Sequence, residues 1–308
     1  MTLGNGPSTA GNFELQIDGK ITTAYLKAVD GGFKKRAVVE ERFGHENVTL
    51  KHVSVAEVEP FSFELGMAGS TDILKWIQAS WRKDPMRHRG QVTHADFDLY
   101  KTFEHEFFEA MILETTFPTL DGASKDAAYL KLKIQPEWIK TKRINGKGER
   151  IGGTDAGKQK LWAASQFELE IHDIPEFKFT NKIDSFTIKQ STKPAYCGMD
   201  DLPDCIPTKI TFPHLTGTLA MGYCDAIHKW RDETIDKGAS DPSVQKHGSL
   251  MFKDPRGRTL FSIELAHVGL FDFKMMPSTA NSDQIRRAKF DLLVGEMDID
   301  GNGRLGLE

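Results

Sequence analysis

Two five-residue segments decide the fold of this chain: FELQI at residues 13–17 and FELEI at residues 167–171. The second segment follows the first by 154 positions. The same shift continues without gaps as far as two identical dipeptides, KW at residues 75–76 and KW at residues 229–230. Because this period is far longer than a solenoid repeat, the pattern indicates two copies of one whole domain.

The repeat sets the predicted domain boundaries. The two copies are expected to span residues 12–139 and 166–300. Residues 140–165 are rich in Gly and Lys and poor in large apolar residues, which is typical of a linker. The two ends, residues 1–11 and 301–308, are small and polar, so we expect a flexible N-terminal arm and a polar C-terminal tail.

Apolar spacing predicts a mainly β structure for each copy. Phe13, Leu15 and Ile17 alternate with polar residues, as in a half-buried strand. The clearest helix spans residues 71–81, and its counterpart spans residues 224–234. Many short strands beside one helix favour a β-sandwich or small barrel with one flanking helix per domain, in two tandem copies.

A tryptophan stands at the same place in both predicted helices. Trp76 and Trp230 are therefore expected to anchor the two domain cores in equivalent ways. A contact with a partner protein is the alternative, because Trp is also enriched at protein interfaces.

Composition and charge exclude several classes of protein. The chain has 308 residues, 39% of them hydrophobic, and a net charge of −4. This charge argues against specific nucleic-acid binding. The sequence contains no apolar run of about 18 residues, so no transmembrane helix is expected. The first residues show no signal-peptide pattern, so we expect synthesis in the cytoplasm. Three cysteines, an odd number, favour reduced thiols over a disulfide framework, with a Cys197–Cys205 bridge as the alternative.

No catalytic or cofactor-binding residue can be assigned. The segment HEFFE at residues 105–109 lacks the second histidine of a zinc-protease helix, and we interpret it as a solvated strand face. The segment GGTDAGKQ at residues 152–159 lacks the Ser or Thr that holds magnesium in a P-loop. We therefore expect a protein without enzymatic activity, cofactor or metal site.

The last eleven residues, DIDGNGRLGLE at 298–308, resemble the first part of an EF-hand calcium loop. The glutamate that such a loop carries at its twelfth position is missing from the sequence. A polar tail is therefore the favoured interpretation. A calcium-dependent binding module is the alternative from a different functional class.

The order of motifs in each copy resembles a known family. An apolar strand at residues 13–17 precedes a V-D-G turn at residues 29–31 and a long charged loop at residues 34–51. The helix ILKWIQASW at residues 73–81 and a closing strand at residues 129–134 follow. This order is similar to the Hcp-like tail-tube domain shared by contractile phage tails, extracellular contractile injection systems and type VI secretion tubes.

The resemblance implies a structural protein. Domains of this family fold as two β-sheets and one helix, and six of them form a ring whose strands make a continuous barrel around a lumen. Rings stack into a tube, so the implied partners are further copies, adjacent rings, the sheath and the baseplate or spike. The chain is then expected to assemble into a phage tail or tail-like particle. A specialised baseplate or terminal ring adaptor is the alternative role.

Two domains per chain allow two ways of forming a ring. Three chains can form one ring with alternating copies, or six chains can form two stacked layers. Lys35 recurs as Lys189, but the loop at residues 36–53 differs from its counterpart at residues 190–207. Different surroundings in two layers would permit this difference, so the sequence favours six stacked chains.

Overall fold

The structure is a computed structural model that describes residues 11–22, 26–44, 48–66, 71–84, 86–144, 148–152, 162–195, 203–222, 224–236, 238, 244–277 and 285–299. Most of these residues lie in β-strands, which include a nearly closed, barrel-like sheet. Two α-helices are present among them. The mainly β fold predicted from the sequence is confirmed.

The described part of the first half contains eleven strands and one helix. In chain order they are β1 (Asn12–Ile17), β2 (Lys20–Ile21), β3 (Leu26–Gly31), β4 (Lys34–Phe43), β5 (Val48–Val58), β6 (Phe61–Leu65), α1 (Thr71–Trp81), β7 (His88–Ala95), β8 (Lys101–Phe117), β9 (Leu120–Asp121), β10 (Leu130–Gln135) and β11 (Trp138–Arg143).

The described part of the second half contains nine strands, one α-helix, a 3-10 turn at Pro175–Phe179 and a π turn at Asp232–Asp236. The strands and helix are β12 (Phe167–Ile171), β13 (Thr180–Ile183), β14 (Phe186–Ala195), β15 (Asp204–Thr211), β16 (Leu215–Ala220), α2 (Asp225–Arg231), β17 (Lys246–Lys253), β18 (Thr259–Met275), β19 (Arg287–Leu293) and β20 (Glu296–Ile299).

Both halves arrange their strands in the same order. In the first half the neighbours run β1, β7, β8, β10, β6 and β3, and in the second half they run β12, β17, β18, β19, β16 and β13. The closing strands also correspond, because β11 pairs with β8 and β20 pairs with β18. The sequence repeat is therefore a repeat of strand topology.

The two longest strands, β8 and β18, each contain 17 residues and bend at the same point. Glu109 in β8 has a φ of 51°, and His267 in β18 has a φ of 54°. This left-handed conformation is unusual for residues other than glycine and interrupts regular pairing. On one side of the bend β8 pairs with β7 and β11, and on the other side it pairs with β10.

The helices pack on the sheets through the two predicted tryptophans. Trp76 and Trp230 are each only 3% exposed. The indole N–H of Trp76 donates to the carbonyl of Met86 at 3.0 Å, and that of Trp230 donates to the carbonyl of Val244 at 3.1 Å. The prediction of two equivalent core anchors is confirmed.

Two sequence interpretations are wrong. The predicted charged loop at residues 34–51 is a β-hairpin, since β4 pairs with β5 from Lys34 to Phe43. The predicted solvated strand face at residues 105–109 does lie in a strand, but His105 is only 1% exposed. Its ring lies against the rings of Phe33, Phe61 and Phe103, so burial among aromatic side chains replaces solvation.

Several segments singled out in the sequence lie outside the described residues. They are the N-terminal residues 1–10, Cys197, most of the P-loop-like segment and the C-terminal residues 300–308. Within the segment interpreted as a linker, β11 continues to Arg143 and Arg150 bridges to Tyr100. Trp162 is buried beside Phe252 at a ring distance of 5.2 Å.

Candidate assembly surface

The two halves of the chain are joined by a pair of antiparallel strands. The end of β8 pairs with the start of β14, from Phe117 opposite Phe186 to Glu114 opposite Lys189. Since β14 also pairs with β15, one sheet continues from β3 in the first half to β15 in the second. We call the contact between β8 and β14 the internal joint.

Side chains on both faces of the internal joint meet closely. The rings of Phe117 and Phe186 stack with their centroids 4.9 Å apart, and both are buried. The hydroxyl groups of Thr116 and Thr187 are 2.8 Å apart. Opposed aromatic pairs and hydroxyl pairs are the contacts that stabilise neighbouring strands, so the joint resembles the interior of a sheet.

An ion pair marks the end of the internal joint. The Glu114 carboxylate lies 3.9 Å from the ammonium group of Lys189 and 3.8 Å from that of Lys133. These side chains are partly exposed, so each pair contributes no more than about 1 kcal/mol. Their main effect is on register, because a shift by one residue would separate them.

Helix α1 makes a further contact between the halves. The Arg82 guanidinium donates to both carboxylate oxygens of Asp298, at 2.6 Å and 3.1 Å for the closest bond to each. The amide of Gln78 donates to the carbonyl of Ile299 at 2.5 Å. Beside this contact lies a cleft of about 1100 Å³, lined partly by Trp81 and Phe212. Asp298, the first residue of the EF-hand-like segment, is thus bound to arginine here.

The hairpin formed by β4 and β5 stands apart from the larger sheets. Within the described residues its two strands pair with each other and with no other strand. Four aliphatic side chains of the hairpin are exposed, namely Val38, Leu50, Val53 and Val55. Phe33, at its base, is 52% exposed. An apolar patch of this kind is typical of a surface that contacts another protein.

The end of β18 exposes a second apolar patch and an open edge. Phe271, Met275 and Met276 are all exposed, and Met275 reaches 69%. In the described structure, the residues of β18 from Asp272 onward pair with β19 alone. The corresponding part of β8 pairs with β10 on one side and with β14 on the other. An unpaired edge presents free N–H and C=O groups to another strand.

No group of three or more His, Cys, Asp or Glu side chains among the described residues has the geometry to hold a metal ion. The described helices are too short or too polar to cross a membrane.

Burial lowers the pKa of His105 to about 4, with a smaller effect from the neighbouring His94, and burial also lowers the pKa of His94. Both imidazoles are thus neutral at pH 7.

The sequence analysis did not identify the internal joint. Phe117 and Phe186 lie in segments that show no shared motif, and they meet only because the two halves pack side by side. One signal was present, since Lys189 at the joint is the repeat of Lys35. The exposed apolar side chains of the hairpin were hidden among charged residues, which made the segment resemble a loop.

Comparison with known proteins places the chain beside tail-tube proteins. Residues 9–140 match the family described as T4-like virus tail tube protein gp19. No curated protein matches the chain.

Solved structures with similarity are tube components and a related protein. One is a chain of the PVC sheath–tube complex of an extracellular contractile injection system in the extended state. The sequence identity is 14% and the TM-score is 0.40, and the match covers 46% of this chain and 95% of that one. A second is a chain of the PVC sheath/tube terminator in the extended state. The sequence identity is again 14% and the TM-score 0.40, and the match covers 45% of this chain and 99% of that one. A third is Hcp1 from Flavobacterium johnsoniae. The sequence identity is 16% and the TM-score is 0.29, and the match covers 44% of this chain and 99% of that one.

The family match extends from the segment before β1 into β11 and so includes the strands, the helix and the hairpin of the first half. The resemblance inferred from the sequence motifs is confirmed, since residues 9–140 match the family of the T4-like virus tail tube protein.

Proposed function

We propose that the chain is a tube subunit of a phage tail-like contractile injection system, whose domains assemble into hexameric or pseudo-hexameric rings around a central lumen. The family match over residues 9–140 carries this proposal, because tail-tube proteins have a structural role. The second half repeats the strand order of the first, which supports a second tube domain in the same chain.

The proposed domains are residues 12–139 and 166–300, with residues 140–165 between them. Equivalent strands begin near the starts of these ranges, since β1 starts at Asn12 and β12 starts at Phe167, while β11 continues past residue 139 to Arg143. Each proposed domain contains its own helix and its own buried tryptophan. The buried side chains of the two proposed domains meet in one continuous hydrophobic cluster.

The exposed surfaces of the chain also support assembly. A monomer would leave the apolar hairpin and the open edge of β18 in water, and exposed strand edges favour uncontrolled association. A closed ring would cover both surfaces. The proposed partners are further copies of the chain, adjacent rings, the sheath and the baseplate, and none of them requires a catalytic residue.

Electron microscopy of the purified full-length chain in negative stain tests the proposal. We expect rings of hexagonal outline with a central hole, or tubes built from such rings. Long tubes would support a main-tube role, and single rings that do not stack would support a terminal or baseplate adaptor. Monomers of 34.6 kDa over the whole accessible concentration range would contradict the proposed ring assembly.

Titration with calcium tests the alternative class. Heat released in calorimetry by the monomeric chain at millimolar calcium would favour a calcium-dependent binding module. We expect no heat and the same particles in calcium and in chelator.

A further inference from the structure

The strand residues that form the internal joint have equivalents elsewhere in the chain, and these equivalents are not paired with each other. Residues of β8 and β18 correspond at a shift of 158, because the left-handed Glu109 and His267 stand 158 positions apart. Both strands also shift register at the same place, β8 opposite Lys133 and Ile134, and β18 between Leu270 and Asp272. The residues of β8 that contact β14 therefore correspond to residues 272–275 of β18.

The two hairpins correspond equally well, at a shift of 154. Lys35 pairs with Glu57 in the first hairpin, and Lys189 pairs with Thr211 in the second. Both hairpins shift register directly after the next residue. The residues of β14 that contact β8 therefore correspond to residues 32–35, at the base of the first hairpin.

In the chain itself these two counterparts are not paired with each other. Within the described residues, the first hairpin pairs with no third strand and residues 272–275 pair with β19 alone. We propose that the edge of β18 at residues 272–275 receives residues 32–35 of a second copy of this chain, in the register of the internal joint. Copies then join head to tail. This inference rests on the proposed ring assembly and specifies its contact.

Charge favours this occupant. The transferred register places Lys35 of one copy opposite Asp272 of the next, as Lys189 stands opposite Glu114 in the internal joint. Asp272 already faces Asp291 across the β18–β19 pair, and its ammonium partner is Lys274 at 2.6 Å. A further cation beside two facing carboxylates is attractive.

The basic side of the contact is available. Residues 34–36 of the hairpin are Lys, Lys and Arg, and all three are exposed. Among the described ion pairs none involves these three side chains. A second copy of the chain can therefore use them without breaking an existing pair.

Apolar and aromatic contacts favour it as well. The register places Phe33 opposite Lys274, where the internal joint has Thr187 opposite Thr116. An ammonium group near an aromatic face is attractive. Met275 would lie opposite Gly32, on the other face of the contact from Phe33. The contact thus covers two exposed apolar side chains, Phe33 and Met275.

A head-to-tail contact closes into a ring or continues as a helix, depending on its rotation. Since the new contact repeats the internal one, every domain in the assembly meets its neighbour in the same way. A ring of six tail-tube domains then contains three chains with alternating copies. The side-by-side joint of the halves therefore argues against the two stacked layers that the divergent hairpins favoured.

Disulfide trapping tests the contact in the full-length chain. Directly opposed residues of antiparallel strands have Cα atoms about 4.5–5.5 Å apart, a separation that a disulfide spans. In the double variant Phe33→Cys, Lys274→Cys we expect mild oxidation to yield covalent dimers and then trimers, with a limit at three chains. Mass spectrometry should identify a linked peptide pair containing positions 33 and 274.

Matched controls make the result decisive. The variant Thr116→Cys, Thr187→Cys should cross-link within one chain, without forming covalent dimers, because those hydroxyls are 2.8 Å apart. Each single-cysteine variant reports the background from the three native cysteines. A pair shifted out of register, Val39→Cys with Lys274→Cys, should give no product above this background.

A charge swap gives an independent measurement. Lys35→Asp and Asp272→Lys should each weaken association by roughly threefold to tenfold in sedimentation or mass photometry, and the double swap should restore it. Rings in the microscope without the 33–274 cross-link, while the internal control forms, would overturn the contact and leave the proposed function intact. Absence of both rings and cross-links would overturn both. Covalent rings of six chains would overturn the three-chain closure.

Discussion

Glu109 and His267 adopt the same left-handed backbone conformation, with φ values of 51° and 54°, at equivalent points of the two longest strands. The bend at each residue lets one strand take part in two sheets. Without it, β8 would not pair with β7 on one side of the bend and with β14 beyond it. In the first half, the left-handed Glu109 thus lies between the part of β8 that pairs with β7 and the part that joins the two halves.

The strain at these positions predicts opposite effects of two substitutions. Glu109→Gly should leave the free energy of unfolding unchanged or raise it by up to about 1 kcal/mol, because glycine adopts positive φ without a steric cost. Glu109→Val should lower it by about 1–3 kcal/mol, because a β-branched side chain clashes in this conformation. Urea denaturation of His267→Gly and His267→Val should show the same order. Equal effects of Gly and Val would contradict the role of backbone strain.

Replacement of either tryptophan anchor should be strongly destabilising. Trp76→Ala and Trp230→Ala should each lower the free energy of unfolding by about 3–5 kcal/mol, because each leaves a cavity. Trp→Phe should cost less but remain destabilising, because the carbonyl of Met86 or Val244 loses its indole donor. Thermal denaturation measures the effect, and the exposed Trp138→Phe is the control. An unchanged melting temperature together with lost assembly would favour the interface alternative.

The buried His105 predicts a loss of stability in acid. Burial lowers its pKa to about 4, so the folded chain holds a neutral imidazole while the unfolded chain protonates near its ordinary pKa of about 6.5. The stabilising contribution is fully present above pH ~6.5 and disappears as the pH falls towards ~4, a loss on the order of 3 kcal/mol.

The variant His105→Phe isolates this effect. The surrounding rings of Phe33, Phe61 and Phe103 can accommodate an aromatic side chain, and the fall in stability between pH 6.5 and pH 4 should become shallower. Substitution of the exposed His247 by Asn is the control and should preserve the steep fall. Equal slopes for the two variants and the parent chain would show that His105 does not titrate on unfolding.

The internal joint should couple the unfolding of the two halves. Phe117→Ala and Phe186→Ala should each lower stability by about 3–5 kcal/mol. The double variant should show a coupling of about 0.5–1.5 kcal/mol beyond loss of area, as for stacked rings. Calorimetry should change from one transition towards two as the joint weakens. Arg82→Ala, at the exposed contact with Asp298, should cost no more than about 1 kcal/mol. Strict additivity of the two Phe variants would contradict the coupling.

The parts of the fold that bury one face were predictable from the sequence. Alternation of Phe13, Leu15 and Ile17 identified β1, and helical spacing identified α1 with its first and last residues at Thr71 and Trp81. Both patterns arise because one side of the element faces a core and the other faces water. The repeated tryptophan was predictable for the same reason.

The assembly surface was not predictable, because its strands lack a buried face within the chain. In β4, charged and apolar side chains are exposed together without alternation, so no period of two marks that strand. The internal joint depends on residues about 70 positions apart, such as Thr116 and Thr187, which are 2.8 Å apart only in the folded chain. The burial of His105 was not predicted, because its neighbours in sequence are charged whereas its neighbours in the folded chain are aromatic.

Because the joint between β8 and β14 lies within one covalent chain, it forms without an encounter between two molecules. Tethering of this kind corresponds to an effective concentration on the order of millimolar, whatever the amount of protein in the cell. Every newly folded chain is then already a linked pair of domains, and mass action governs only the contacts between chains. A ring of six domains would then form from three molecules, whereas unlinked domains would need six. Such rings could therefore appear at lower subunit concentrations than unlinked domains would require.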